Sequence, residues 1–136
     1  MRPPEGAGRH LISEWVHKAE ADMSTADHLL TEGPIYSGII AFHSQQAAEK
    51  YLKALLTQHH IAFPKTHDLE RLLRLVRKVD GALADALAEV IILSLYGVEV
   101  RYPGDRPDVT LDEARQAVAL ARLVSDAVTD RLRDLG

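Results

Sequence analysis

Four polar residues recur along one flank of a long helical pattern in the middle of the chain. His43, Gln46, Lys50 and Lys53 follow one another at steps of three and four residues. On a helix they fall within about one quarter of the wheel, where cationic and amide groups could hold a phosphate. The competing interpretation is a solvated helix face with an ordinary pair between Glu49 and Lys53, worth about 0.3 kcal/mol.

A second group of polar residues lies in the loop from Arg101 to Arg106, around a Pro-Gly turn. Guanidinium groups match phosphate oxygens well, so Arg101 and Arg106 are candidates for binding a nucleotide or RNA. The competing interpretation needs no ligand: Arg101 caps the last carbonyls of the preceding helix, and Tyr102 packs at the edge of the fold.

Two further features of the sequence are explained without a ligand. Arg71, Arg74 and Arg77 recur at three-residue steps, and this ridge is typical of the solvated side of a helix. Phe42 lies on the same flank as Lys53 and could stack on a base, but burial against a partner subunit is the simpler role.

Several classes of chemistry lack support in the sequence. The chain has no cysteine, which excludes disulfides and thiolate metal sites and fits a reducing cytoplasm. His59 and His60 are adjacent and lack the i, i+4 spacing of a helical metal site. We therefore expect no metal. No nucleophilic triad, phosphate loop or dinucleotide fingerprint is present, which disfavours a free-standing hydrolase, kinase or dehydrogenase, and we expect no cofactor.

The composition predicts one all-α domain. The chain has 136 residues, of which 46% are apolar and 5% aromatic, with 8 glycines and 6 prolines. Ala and Leu dominate the apolar residues, and this favours helices over sheets. No segment approaches the ~20 apolar residues of a membrane span. The net charge of −4 means that any contact with nucleic acid must come from a local basic patch.

Hydrophobic spacing places the candidate residues on five helical segments, over 11–31, 36–59, 66–80, 82–101 and 110–135. Residues 1–10 are expected to form a flexible lead and residues 11–136 the domain. Thr66 is expected to cap the third helix, and Thr110 with Glu113 has the spacing of a capping box. Short connections predict an antiparallel up-and-down bundle of four to five helices.

The fourth segment is apolar on nearly every side, including Leu83, Leu87, Val90 and Leu95. Such a helix must be covered all round, so it is either the central helix or a symmetric dimer contact. In a dimer of that kind, two copies of the loop from Arg101 to Arg106 would converge on one cleft.

The segment from Tyr36 to Leu56, with its order of aromatic, Gln-Gln, Ala-Ala, Glu-Lys and Leu-Lys-Ala-Leu-Leu, resembles the second helix of HEPN domains. The likeness continues through Trp15, residues 18–22, residues 66–69 and residues 101–103. It therefore spans roughly residues 11–130.

The resemblance implies a helical bundle, usually homodimeric, that in prokaryotes is often encoded beside a minimal nucleotidyltransferase in a module resembling a toxin and its antitoxin. Many active members are metal-independent ribonucleases whose motif is an arginine, four to six residues and a histidine. Arg101 stands where that arginine would, yet no histidine follows His67 in the chain. Because some partner transferases adenylylate a tyrosine near this motif, Tyr102 is a candidate acceptor.

The sequence therefore predicts a HEPN-type homodimer that binds a nucleotide or RNA and acts with a minimal nucleotidyltransferase, without catalysis of its own. One alternative is a metal-independent ribonuclease that uses Arg101 with Tyr102 or a distant histidine such as His43. The other is a purely structural helical dimer.

Overall fold

The computed structural model describes residues 5–97 and 108–135. In this part of the chain all regular elements are helical: α1 (Glu5–Leu30), α2 (Ser37–Gln58), α3 (Leu69–Arg77), α4 (Gly81–Ala86) and α5 (Leu111–Leu135), with 3-10 helices at Pro34–Tyr36 and Ala88–Tyr96. The prediction of an all-α helical bundle is confirmed. α1 begins at Glu5 rather than Leu11, so residues 5–10, which were expected to precede the first helix, are helical.

α1 and α2 form an antiparallel pair joined by a short turn at Gly33. Gly33 has a φ of 114°, a left-handed conformation that suits a residue without a Cβ. A 3.6-residue period gathers the apolar residues of α2 into one stripe, which is fully or almost fully buried. It comprises Ile40, Ala47, Ala48, Tyr51, Leu52 and Leu55.

α2 is the central helix, since it packs against α1, α3, α5 and the 3-10 helix Ala88–Tyr96. On α3, four apolar residues opposite the arginine ridge are buried: Leu69, Leu72, Leu73 and Val76. The N-cap of α3 is Asp68, whose carboxylate accepts hydrogen bonds from the backbone N–H groups of Glu70 and Arg71. The expectation that Thr66 caps this helix is wrong, because its hydroxyl accepts instead from the backbone N–H of Asp68.

The fourth segment differs from the single long helix expected over 82–101. Its described part, up to Gly97, consists of the short α4 and the 3-10 helix Ala88–Tyr96. Leu83, Leu87, Val90 and Leu93 are at most 1% exposed, so the chain's own core covers most of the apolar surface that had suggested a second subunit. Leu95 remains 53% exposed.

α5 begins with the predicted capping box. The backbone N–H of Glu113 donates to the Thr110 hydroxyl at 3.1 Å, and the backbone N–H of Thr110 donates to the Glu113 carboxylate at 3.0 Å. This reciprocal pair satisfies two N–H groups that the helix leaves without partners. None of the helices in the described part of the chain has the length and apolar character needed to cross a membrane.

Candidate functional site

A buried carboxylate on α2 gathers three polar side chains around it. The two oxygens of Glu49 accept hydrogen bonds from His67 Nδ1 at 2.7 Å, Gln45 Nε2 at 3.0 Å and Lys53 Nζ at 2.9 Å. Gln45, Glu49, Lys53 and His67 are called the Glu49 cluster below. The carboxylate is 3% exposed, and these donors offset the cost of removing its charge from water.

Lys53 is held between this carboxylate and two aromatic rings. Its ammonium lies 5.4 Å from the centroid of Trp15 and 5.9 Å from that of Phe63, within the range of a cation–π contact. The two rings meet edge to face at 6.2 Å. The Lys53 side chain is 8% exposed, so the Glu49–Lys53 pair is not the solvated pair that the sequence allowed as an alternative.

A second group of charges joins α1 to α2 and is called the Asp22 cluster. One carboxylate oxygen of Asp22 lies 2.8 Å from His43 Nδ1, and the other accepts from Lys50 Nζ at 2.5 Å. The exposed fractions are 12% for Asp22, 28% for His43 and 21% for Lys50. The positive charge of Lys50 is therefore already balanced within the protein.

The four residues predicted to bind a phosphate do lie along one flank of α2, but each has a protein partner. Gln46 donates from Nε2 to the amide oxygen of Gln45 at 2.6 Å. Lys53 belongs to the Glu49 cluster, while His43 and Lys50 belong to the Asp22 cluster. The flank is thus a charge-balanced network rather than a free cationic surface.

Phe42 and two of the three arginines of the ridge contact other side chains of the protein. Phe42 is half-buried and meets the His43 ring edge to face at 5.4 Å. Arg74 and Arg77 are exposed and pair with Glu70 and Asp85 respectively. These contacts support the interpretation of the ridge as a solvated helix face.

Arg101, Tyr102 and Arg106 lie outside the described residues. The last residue described before them, Gly97, packs against the Glu49 cluster. A Cβ added at Gly97 would lie 3.3 Å from Gln45 Cδ, a contact so tight that a larger residue would displace the amide. The chain therefore leaves the described part beside the Glu49 cluster.

A separate groove lies between α1 and α5, with a volume of about 730 Å³ and Tyr51 in its wall. Burial raises the pKa of the Tyr51 phenol, opposed by a hydrogen bond with Ser125. A hydrogen bond to Asp27 raises the pKa of Arg122. The ionisable side chains that line this groove are mostly acidic: Glu20, Asp27, Asp126 and Asp130, beside Arg122 and Arg133. This balance disfavours a phosphate ligand there.

The roles of His67 and Asp22 were missed at the level of the sequence. His67 was noted only as part of the segment that opens α3, and Asp22 as part of the resemblance in α1. The spacing of Gln45, Glu49 and Lys53 at steps of four was available as a signal, because such residues meet on a helix surface. No spacing rule connects residues 18 or 21 positions apart on different elements.

The family of the chain follows from comparison with known proteins. The family model described as the HEPN domain matches residues 12–132, which is most of the chain. This protein belongs to the HEPN family. Within the described residues, no three His, Asp or Glu side chains come together in a way that could hold a metal ion.

Two solved structures share the fold of this HEPN protein. It is similar to TT1696 from Thermus thermophilus, with 26% identity, a TM-score of 0.73, and coverage of 88% of this chain and 96% of that chain. It is also similar to ST0689, an archaeal HEPN homologue, with 22% identity, a TM-score of 0.69 and the same coverage; at that identity the likeness shows the fold alone. No curated protein matches the chain significantly.

Proposed function

We propose that this HEPN protein is a homodimer that binds a nucleotide or RNA and acts beside a minimal nucleotidyltransferase, in a module resembling a toxin and its antitoxin. The observation that carries the binding role is the aromatic pair of Trp15 and Phe63 next to the Glu49 cluster. Both residues are partly exposed, and a base is proposed to stack on the exposed part of these rings.

The charge distribution supports a ligand that is recognised by stacking and hydrogen bonds. Base–aromatic stacking is worth about 1–3 kcal/mol for each base and needs no excess positive charge. The paired charges of Lys50 and Lys53 add little attraction for phosphate. Arg101 and Arg106, which follow Gly97 in the chain, are proposed to supply the contacts to phosphate.

The exposed apolar residues of the 3-10 helix support the homodimer. Ile92 is 42% exposed and Leu95 is 53% exposed, and residues three apart on a 3-10 helix lie on one face. A symmetric contact through this face would bring the Gly97 ends of both copies towards each other. Both Glu49 clusters would then lie near the subunit boundary.

The partner transferase is proposed on the family resemblance, and Tyr102 stays the candidate acceptor for its adenylyl group. The net charge of −4 supports a role in which the protein recognises one ligand or partner locally rather than nucleic acid in general.

Trp15 is the chain's one tryptophan, so its intrinsic fluorescence reports directly on the proposed binding surface. We expect labelled ATP or a short single-stranded RNA to bind saturably near micromolar, about −8 kcal/mol, and to change this fluorescence. Trp15→Leu should weaken binding by about tenfold or more, because one stacked base is lost. Fluorescence anisotropy of the labelled ligand measures its affinity for the wild type and for Trp15→Leu.

Tyr36→Leu is the matched control, since Tyr36 is an exposed aromatic residue outside the Glu49 cluster. Its affinity should equal that of the wild type, and circular dichroism should show that both variants remain helical. If neither ATP nor RNA binds saturably, the binding role is wrong and the purely structural dimer remains.

A metal-independent ribonuclease is the second candidate function. The observation that favours it is the contact between His67 and the buried Glu49, because a positioned histidine is the acid/base group that the sequence lacks after Arg101. This candidate predicts that the purified protein cleaves RNA in EDTA and that Arg101→Ala loses the activity. RNA that stays intact with the wild-type protein rules it out.

A further inference from the structure

His67 differs from His10, His28 and His43 in how it is held. Its side chain is 65% exposed, while the carboxylate that it contacts is 3% exposed. His10 instead pairs through Nε2 with the exposed Glu14 on its own helix at 3.5 Å, and His28 pairs with the exposed Glu32 in the turn after α1 at 3.8 Å. His43 also contacts a carboxylate through Nδ1, but its side chain is only 28% exposed.

The contact with Glu49 determines which nitrogen of His67 carries the proton. A carboxylate only accepts hydrogen bonds, so Nδ1 must be the donor. In the neutral ring, Nε2 then keeps its lone pair for a group outside the protein. This is the relation by which a buried carboxylate orients a catalytic histidine.

The amide of Gln45 holds the backbone of His67 directly and holds its ring through Glu49. Gln45 Nε2 donates to Glu49 at 3.0 Å and to the backbone oxygen of His67 at 3.3 Å. Lys53 holds the other carboxylate oxygen of Glu49 at 2.9 Å. Because the carboxylate is anchored from both sides, the imidazole has a defined orientation while its outer edge meets solvent.

From this geometry we infer that His67 is the proton-transfer residue of a phosphodiester-cleaving site whose substrate is single-stranded RNA. The inference rests on the second candidate function, ribonuclease activity, and assigns its acid/base to the start of α3 instead of the segment after Arg101. The nearby Trp15 and Phe63 rings offer stacking surface for an unpaired base.

The proposed reaction needs no oxidant, metal or cofactor. Nε2 of His67 takes the proton from a ribose 2′-hydroxyl, and the 2′-oxygen forms a bond to the adjacent phosphorus. The bond from phosphorus to the 5′-oxygen breaks, and that oxygen leaves with a proton returned from the imidazolium. The products are a 2′,3′-cyclic phosphate and a free 5′-hydroxyl, and His67 returns to its neutral state.

The decisive experiment compares RNA cleavage by the full-length wild type, His67→Ala and His28→Ala in EDTA. We expect His67→Ala to lower the initial rate by about 100-fold or more, the usual contribution of a general acid/base, with unchanged affinity for RNA. Because the ring is largely exposed, added imidazole should restore part of the rate. His28→Ala, which removes an exposed histidine paired with Glu32, should cleave at the wild-type rate.

Glu49→Gln tests the orienting role separately. It replaces a carboxylate, which only accepts hydrogen bonds, with an amide that can also donate to His67 Nδ1, so the tautomer of His67 is no longer fixed. The rate should therefore fall, and added imidazole should have no effect, since the ring is still present. Because the change also leaves Lys53 without its carboxylate, thermal unfolding must show that the variant folds before its rate is compared.

Three results would overturn the inference. The first is a wild-type protein that binds RNA but does not cleave it, which leaves the proposed binding function intact. The second is a His67→Ala variant as active as the wild type. The third is a His67→Ala variant whose lost activity does not respond to imidazole and whose RNA affinity falls as well, because a structural role explains both losses.

Discussion

Asp80 fixes the start of α4 and ties it to the last helix. Its Oδ1 accepts from the backbone N–H of Leu83 at 3.0 Å, and its Oδ2 accepts from Arg131 Nε at 3.0 Å. The hydrogen bond from Leu83, followed by the one from Arg131, lowers the pKa of this carboxyl. The charged form of Asp80 is therefore favoured by folding.

Replacing Asp80 should separate these two contributions. We expect Asp80→Ala to lower the free energy of unfolding at neutral pH by about 1 kcal/mol or more, because both the cap and the ion pair are lost. Asp80→Asn should lose less, since asparagine also caps helices. Urea denaturation monitored by circular dichroism measures both, with Asp134→Asn as the control for an exposed carboxylate of α5.

The same residue should contribute to the pH dependence of stability. Its folded pKa lies below the unfolded value of about 4, so its stabilisation is present above that pH and is lost as pH falls through the folded pKa. Between pH 4 and pH 2, Asp80→Asn should lose less stability than the wild type. Equal losses in the two proteins would show that Asp80 does not act through its charge.

At the scale of helices, the sequence predicts which side is buried most accurately for a helix that has one polar and one apolar face. The apolar stripe of α2 and the buried face of α3 are readable from the sequence because a 3.6-residue period leaves one solution for which side is buried. The capping box at Thr110 was also readable, since its contacts are local. The fourth segment has no polar face to fix a period.

The composition of that segment weakens its preference for an α-helix after Leu87. Val90, Ile91 and Ile92 follow one another, and β-branched residues lose side-chain freedom in an α-helix. Periods of 3.0 and 3.6 are also hard to distinguish over nine residues that are nearly all apolar. Packing against α2, α3 and α5 decides the conformation, and a single sequence does not specify that packing.

The candidate site shows the same division between local and tertiary information. The positions of His43, Gln46, Lys50 and Lys53 on one flank of α2 followed from their spacing. Their partners did not, because the rotation of α1 that places Asp22 against α2 depends on how two helix surfaces interlock. The spacing alone therefore predicts a cationic flank, whereas in the folded protein the carboxylates of Asp22 and Glu49 balance its charges.

At the scale of the whole molecule, the proposed dimer has a smaller exposed apolar surface available for its contact than the sequence suggested. The exposed part of the fourth segment is centred on Ile92 and Leu95, at 42% and 53% exposure. Glutamate at either position would place a charge in the proposed contact, where the cost of removing it from water opposes association. The buried core of the segment is not altered by such a change.

We therefore expect the wild type to sediment as a dimer and Ile92→Glu/Leu95→Glu to sediment as a folded monomer at the same concentration. Leu123→Glu is the matched control, because Leu123 is 43% exposed on α5 and lies outside the 3-10 helix. Circular dichroism confirms folding of each variant, and analytical ultracentrifugation gives the mass. A monomeric wild type would rule out the dimer. A dimer that Leu123→Glu disrupts and the double variant does not would place the contact outside the 3-10 helix. RNA affinity measured on the same samples then shows whether both copies of the Glu49 cluster are needed, since binding shared across the boundary must weaken when the subunits separate.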